Sequence, residues 1–282
     1  MVLDLYRKDG SWRCNSVLQG FNEGLDAIVR HFGGEVADTE QAPKPSTITL
    51  EKKVADKAPG LVSLAKKASV SLKKSGLEGV RAKVGLVLDA SGSMNSQYRK
   101  SRVQEVVNRL IPLAVHFDDN GGLDCWAFAA DTLQLSEVGL GNYSDFINTD
   151  NDGWRKWKVG ARINCEVKAI QKVIDFYRAG IKDGIPVYIL FISDGGVSEN
   201  KKIEKLIRDA ASLPIFWQFV GIGGRNYGVL EHLDDLAGRV VDNCDFFALD
   251  DLHDVTEEAL YERLMTEFPR WIRNARSAGI IE

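Results

Sequence analysis

Two stretches of the chain are apolar almost without interruption, Val84-Gly-Leu-Val-Leu88 and Val187-Tyr-Ile-Leu-Phe-Ile192. Short runs rich in β-branched and large aliphatic residues suit strands covered on both faces, the habit of parallel sheets. Each run ends in small polar residues: Asp89-Ala-Ser91-Gly-Ser93 after the first, Ser193-Asp194-Gly195-Gly196 after the second. Elsewhere the apolar spacing becomes helical. Val103, Val106, Val107, Leu110, Leu113 and Ala114 mark one face of a long helix over 97–118. Further helices are expected over 166–177 and 201–211, near 230–236, and over 256–275, the last capped by Thr256 with Glu257 and Glu258 in its first turn. Strand patterns fall at 123–129 and 132–135, read as a hairpin pair, at 215–221, and at 245–249 as an edge. This alternation from Arg81 onward predicts an α/β fold, a doubly wound, mostly parallel sheet flanked by helices.

The first third of the chain is patterned differently. Leu3–Tyr6 and Trp12–Val17 read as two strands around Asp9-Gly10, a strong hairpin signal. A helix follows, with Leu25, Ile28, Val29 and Phe32 on one face and Gly33-Gly34 as its stop. A piece spanning only 1–36 is too small for a core of its own. Residues 37–48, with Pro43 and Pro45 among small polar residues, read as a linker. Next comes a basic amphipathic stretch. Val54, Leu61, Leu64, Ala68 and Leu72 form its apolar stripe, Pro59 opens its main helix, and Lys52, Lys53, Lys57, Lys66, Lys67, Lys73 and Lys74 carry its charge. It reads either as a surface for anionic lipid or an acidic partner, or, by the default for soluble helices, as a helix laid on the domain with its lysines in water. The expected organisation is therefore 1–36, 37–80 and 81–282.

Composition narrows the function. With 282 residues and 44% apolar content the chain supports a sizeable core. A formal net charge of −4 gives no general pull toward nucleic acid, which is not expected as a partner. No apolar run approaches the roughly 20 residues of a membrane helix, and MVLDLYRKDG lacks the apolar centre of a signal peptide, so a cytoplasmic location is expected. Cys14, Cys125, Cys165 and Cys244 are scattered without a C-x-x-C pair and read as reduced thiols; His31, His116, His232 and His253 are equally dispersed.

The chemistry gathers at the two strand ends. Asp89, Ser91 and Ser93 offer one carboxylate and two hydroxyls within five residues, with Gly92 allowing a tight turn. In an open α/β sheet ligands sit beyond the carboxyl ends of the strands, which places Asp194 on the same rim as Asp89. Hard oxygen ligands of this kind suit Mg²⁺ or Mn²⁺. Gly221-Ile-Gly223-Gly224-Arg225-Asn226 lacks the full glycine spacing of a phosphate loop and is not read as a nucleotide site.

The D-x-S-x-S pattern, followed by a later strand ending in S-D-G, resembles the metal-ion-dependent adhesion site of von Willebrand factor type A domains. The resemblance implies Mg²⁺ (or Mn²⁺) held by Ser91 and Ser93, with Asp89 and Asp194 acting partly through water and a threonine arriving from a third loop. The matching loop is Val159–Cys165, which has Asn164 but carries Ile163 where the threonine is expected. Asn164, a water, or Thr149 from the preceding loop then fills that position, or the site binds metal weakly. Tyr6-Arg7, Gly10-Ser-Trp12, Gln19-Gly20 and Leu25 resemble the closing hairpin and helix of TerD-type tellurium-resistance domains, so the chain resembles a TerF-like protein. What this implies is a non-catalytic scaffold in tellurite or stress tolerance, binding an acidic protein partner whose carboxylate completes the metal shell. It also implies company with other tellurium-resistance proteins at the inner face of a bacterial membrane. Trp154 and Trp157, in the polar and aromatic loop 142–157, read either as a partner pocket beside the metal or as packing for their own loop. The alternative activity is a metal-dependent phosphoester hydrolase using Asp89; against it, Ser91 stands where such enzymes place a second carboxylate.

Overall fold

The two apolar runs lie side by side as the central strands of a six-stranded sheet. The computed structural model describes residues 2–8, 11–17, 50–118, 121–180, 184–223, 226–249 and 255–282. The chain divides into two compact units, Met1–Thr47 and Ile48–Glu282. In the first, β1 (Val2–Lys8) and β2 (Ser11–Val17) pair antiparallel, from Val2 opposite Val17 to Lys8 opposite Ser11. The expected helix over 20–32 and the linker over 37–48 lie outside the described residues.

The second unit begins with two helices, α1 (Leu50–Lys57) and α2 (Val62–Lys74), joined by a 3-10 turn at Pro59–Leu61. Strand β3 (Lys83–Asp89) follows, then the short helix α3 (Asn95–Arg99), α4 (Arg102–Phe117), β4 (Asp124–Phe128) and β5 (Thr132–Gln134). The four-residue helix α5 (Phe146–Thr149) precedes α6 (Glu166–Gly180), β6 (Val187–Ser193), α7 (Asn200–Ala210) and β7 (Ile215–Ile222). After a 3-10 turn at Gly228–His232 come β8 (Cys244–Leu249), α8 (Glu257–Leu264) and α9 (Phe268–Ser277).

The strand order is β5-β4-β3-β6-β7-β8, parallel throughout except for β5, which closes one edge antiparallel to β4. The chain builds outward from β3 to one side and then from β6 to the other. The order therefore reverses between β3 and β6, where an open sheet leaves a crevice at its carboxyl ends.

Alternate residues of the central strands serve two separate cores, as the pleat dictates. Leu86, Leu88, Tyr188, Leu190 and Ile192 pack with α1, α2, α4, α8 and α9; Val87, Ile189, Phe191, Trp217 and Phe219 pack with α6 and α7. On the second face side chains from β6 and α6 crowd Gly85 of β3. A Cβ on Gly85 would stand 2.6 Å from Ile189 Cδ1 and 2.8 Å from the Tyr177 hydroxyl, so this strand position has room only for glycine.

Two of the expected helices are broken in the fold. The helix expected over 97–118 is two helices, because Ser101 turns the chain with φ 58°. The helix expected over 256–275 is also two, since Pro269 in the first turn of α9 has no amide hydrogen and its ring clashes with a carbonyl one turn earlier. Thr256 caps α8 as expected, its hydroxyl accepting from the Ala259 amide at 3.2 Å. The basic stretch is laid on the domain: Val54, Leu61, Ala65, Ala68 and Leu72 are buried in the same core as β3, and Lys67 meets Glu257 at 2.8 Å and Glu258 at 3.2 Å.

Candidate metal centre

At the end of β3 the chain must leave a fully buried strand, and Asp89 itself is completely buried. Its carboxylate is held by short local contacts. One oxygen accepts from the Ser91 amide at 2.8 Å, the capping habit of aspartate at the start of a turn. The other accepts from the Ser193 hydroxyl at 2.9 Å and faces the Asn164 amide nitrogen at 3.4 Å. From there a line of oxygens runs outward: Ser91 Oγ lies 2.9 Å from Ser93 Oγ, and Ser93 donates to Asp194 Oδ1 at 2.9 Å. Four of the residues singled out from sequence thus converge, with Asn164 beside them.

A cleft of about 400 Å³ opens over this line, bordered by Ser93, Ile163, Asn164, Asp194, Gly195 and Gly196. Gly195 shapes its floor. With φ 100° it adopts a backbone closed to other residues, and a Cβ there would meet the Asn226 carbonyl at 2.3 Å. Burial pushes the Asp89 carboxyl up to about 6, assisted by the charge of Asp194 and opposed by its hydrogen bonds from Ser91 and Ser193. Burial likewise raises Asp194 above the usual carboxylate range, against its hydrogen bond from Ser93. Two carboxylates whose charge the protein alone leaves uncompensated are what a bound cation would neutralise.

The third loop is latched to the first. The Gly92 amide donates to the Arg162 carbonyl at 3.0 Å, and the Arg162 guanidinium returns to the carbonyls of Ala90 at 2.7 Å and Trp154 at 2.9 Å. This latch decides which side chain enters the site. Ile163 is 64% exposed at the rim, and Asn164 turns inward, donating to the Gly195 carbonyl at 2.6 Å as well as facing Asp89. Asn164 therefore arrives nitrogen first, as a brace for Asp89, and not as the oxygen ligand expected for it. Thr149 does not substitute, because its hydroxyl donates to the Asp145 carbonyl at 2.9 Å within its own short helix.

The partner pocket expected at Trp154 and Trp157 is corrected. Both are buried, at 5% and 3% exposure. Trp154 stacks on Tyr98 with ring centroids 4.8 Å apart, and Trp157 meets the same ring edge-on and donates its indole N–H to the Asp150 carbonyl. The aromatic pair packs its loop against α3 because a stacked, desolvated indole is worth more than an exposed one.

Three residues of the site carried no assignment from sequence. Ser193 was visible beside Asp194, yet its role as donor to Asp89 depends on β3 and β6 being neighbours. Tyr98 donates its hydroxyl to the Asp89 carbonyl at 2.8 Å, tying α3 to the strand end. Glu166 reads in sequence as an ordinary acid in a helix first turn, but only 1% of it is exposed and neither carboxylate oxygen meets a donor at full hydrogen-bond geometry. Burial pushes its carboxyl up to about 7, with the charge of Asp89 adding to the effect.

The donor set fits a hard divalent cation through one fully buried carboxylate, one half-buried carboxylate and two hydroxyls in mutual contact, of which that of Ser93 borders the cleft. Among the described residues no three His, Cys, Asp or Glu side chains converge closely enough to bind an ion by themselves, so the serines are essential to the set.

The family model described as vWA-TerF-like, the vWA domain found in the TerF C terminus, matches residues 81–281. A curated relative, the uncharacterized protein YcbR of Bacillus subtilis (strain 168), is 38% identical over 219 residues, covering 77% of this chain and 88% of its own. Among solved structures, the ArnB paralog VWA2 from Sulfolobus acidocaldarius is 19% identical with a TM-score of 0.39, over 66% of this chain and 44% of that one. A von Willebrand factor type A structure from Catenulispora acidiphila is 10% identical with a TM-score of 0.44, over 67% and 42%. The mussel byssus protein PTMP1, in a structure whose MIDAS motif is zinc-occupied, is 15% identical with a TM-score of 0.43, over 70% and 48%. The chain spans less than half the length of each of these three solved chains.

Proposed function

The chain belongs to the TerF-like group of von Willebrand factor type A domains, and from that premise we propose that it is a non-catalytic module which binds an acidic protein partner through a divalent cation. The observation that carries this reading is the unbroken line Asp89, Ser91, Ser93, Asp194 at the strand-order reversal, opening into a cleft. Ser91, Ser93, Asp89 and Asp194 would hold Mg²⁺ or Mn²⁺, with Asn164 bracing the carboxylate. Bound there, the cation supplies a positive centre with positions left open. Mg²⁺ takes about six ligands, more than this set offers, so a carboxylate from a partner has a place in the shell. Ile163, exposed on the cleft rim, offers that partner an apolar neighbour beside its acid.

Hydrolysis by Asp89 fits the geometry poorly. A nucleophile must touch the substrate, and both oxygens of this fully buried carboxylate accept hydrogen bonds from the protein, whereas a cation can be held by the charge of Asp89 through Ser91, Ser93 or water. The family's name supports a place for this binding module as a scaffold among tellurium-resistance proteins; work in the cytoplasm near the inner face of the membrane is part of the same proposal. No described helix is long and apolar enough to cross a membrane itself.

The test is calorimetric titration of chelator-treated protein with Mg²⁺ and with Mn²⁺, run beside Asp89→Ala. Saturable binding that vanishes in the variant is expected, while a cooperative melt of the variant in chelator shows that it is folded. With Mn²⁺ loaded, a glutamate-rich peptide should alter the Mn²⁺ electron paramagnetic spectrum of the wild type only. Absence of both heat and metal-dependent thermal stabilisation in the wild type would sink the reading.

A further inference from the structure

Glu166 is the strongest unexplained feature of the molecule. It stands at the first position of α6, 1% exposed, and among the described residues neither of its oxygens has a hydrogen-bond partner at full geometry. The groups that act on its carboxyl include its own backbone N–H, the Asn164 side-chain amide and the backbone of Ser198, all neutral, and the carboxylate of Asp89. The Asn164 amide is also the group that faces Asp89 at 3.4 Å, so one side chain acts on both acids. A carboxylate taken out of water among neutral neighbours is strongly unfavourable unless a positive charge compensates it. The contacts of Asp89 and Asp194 are neutral as well, coming from serines and an asparagine.

We infer that Glu166 is an outer acid of the metal centre: buried beside the Asn164–Asp89 contact, it supplies, once a cation is bound, a third negative charge that strengthens the hold on that cation. The inference rests on the metal-binding reading and goes beyond it in giving the site an outer acid. Glu166 is not offered as a direct ligand, which agrees with the absence of any close group of three acids among the described residues. Its charge acts at short range through a buried, weakly polar interior, where screening by solvent is small. Carboxylates placed one shell out from a metal typically change its affinity by about 10- to 100-fold when removed.

The experiment compares Mg²⁺ and Mn²⁺ dissociation constants, by calorimetry, for wild type, Glu166→Gln, Glu166→Asp, Asp89→Ala and Asp175→Asn, the last an exposed acid on the same helix. Glu166→Gln keeps the shape and removes the charge. It should weaken both metals about tenfold or more yet melt at or above the wild-type temperature in chelator. Glu166→Asp should recover part of the affinity, and Asp175→Asn should change nothing. If the wild type binds, Asp89→Ala does not, and Glu166→Gln binds as the wild type does, then Glu166 is a neutral packing group and the inference falls while the metal reading stands. If the wild type itself takes up neither metal, both fall. Should Glu166→Gln not fold, Glu166→Leu, which also removes the charge, decides alone: affinity equal to that of the wild type overturns the role, and a loss of several-fold in a variant with an unchanged melting temperature supports it.

Discussion

Ile163 and Asn164 show how one residue's turn of the backbone decides chemistry. In sequence Ile163 stands where a ligand is expected and Asn164 is one of several candidates to take its place; in the fold Ile163 is 64% exposed and Asn164 faces the carboxylate. The isoleucine therefore removes no donor from the metal. Ile163→Ser is expected to leave the Mg²⁺ dissociation constant within about twofold of wild type while weakening capture of an acidic partner by the metal-loaded protein, since only rim area is lost. Equal loss of metal affinity in that variant would show the rim to be part of the shell. Gly85 makes a second residue-level claim. With Ile189 and the Tyr177 hydroxyl crowding the position, Gly85→Val should overpack the sheet and cost about 1–3 kcal/mol in urea denaturation. A variant as stable as the wild type would mean that α6 slides away without penalty.

At the scale of elements, the basic helix pair shows where pattern reading reaches its end. The apolar stripe of α2 was plain, and so was its charge, but lipid, partner and domain all satisfy the same stripe. Burial of Ala65, Ala68 and Leu72 against the sheet, with Lys67 between Glu257 and Glu258, decides for the domain. The seam between this pair and α4 also carries a pH dependence. His116, near the end of α4, has a ring nitrogen 2.9 Å from the Leu77 carbonyl that follows α2, and its ring meets Phe117 edge-on. Burial lowers its pKa below the usual 6.5, with Lys53 lowering it further and the Leu77 contact and Glu78 opposing. The ring is thus neutral in the fold and protonates first in the unfolded chain. Its contribution to stability is complete above pH 6.5 and declines as pH falls through that value toward the folded pKa. Acidification from pH 7.5 to 5.5 (about one unit either side) should therefore lower the urea midpoint of the wild type more than that of His116→Gln. Parallel pH profiles for the two would exclude His116 as the source.

On the scale of the whole molecule, the family match begins at residue 81 whereas the compact unit begins at Ile48. The difference is α1 and α2, which cover one face of the sheet's core. A chain starting at Arg81 should consequently melt well below one starting at Ile48 and expose apolar surface to a hydrophobic dye, as expected when buried side chains lose their cover. Equal melting temperatures would make the helix pair an ornament. Much of the molecule was legible in advance. Unbroken apolar runs at 84–88 and 187–192, each ending in aspartate, determined a parallel α/β sheet with two acids on one rim. Those features follow from local chemistry, since strand periodicity and turn residues act within a few positions of each other. Glycine at 195 and proline at 269 likewise act on their own backbone, though the break at Pro269 was masked by an apolar stripe that continued through it. What the tertiary structure alone decided was which side chains face inward where distant segments meet. Ser193 as donor to Asp89, Asn164 in place of Ile163, the burial of Trp154 and Trp157, and the enclosure of Glu166 all depend on strands and loops far apart in the chain. Burial is a property of the neighbours a residue acquires, and no local pattern encodes those neighbours.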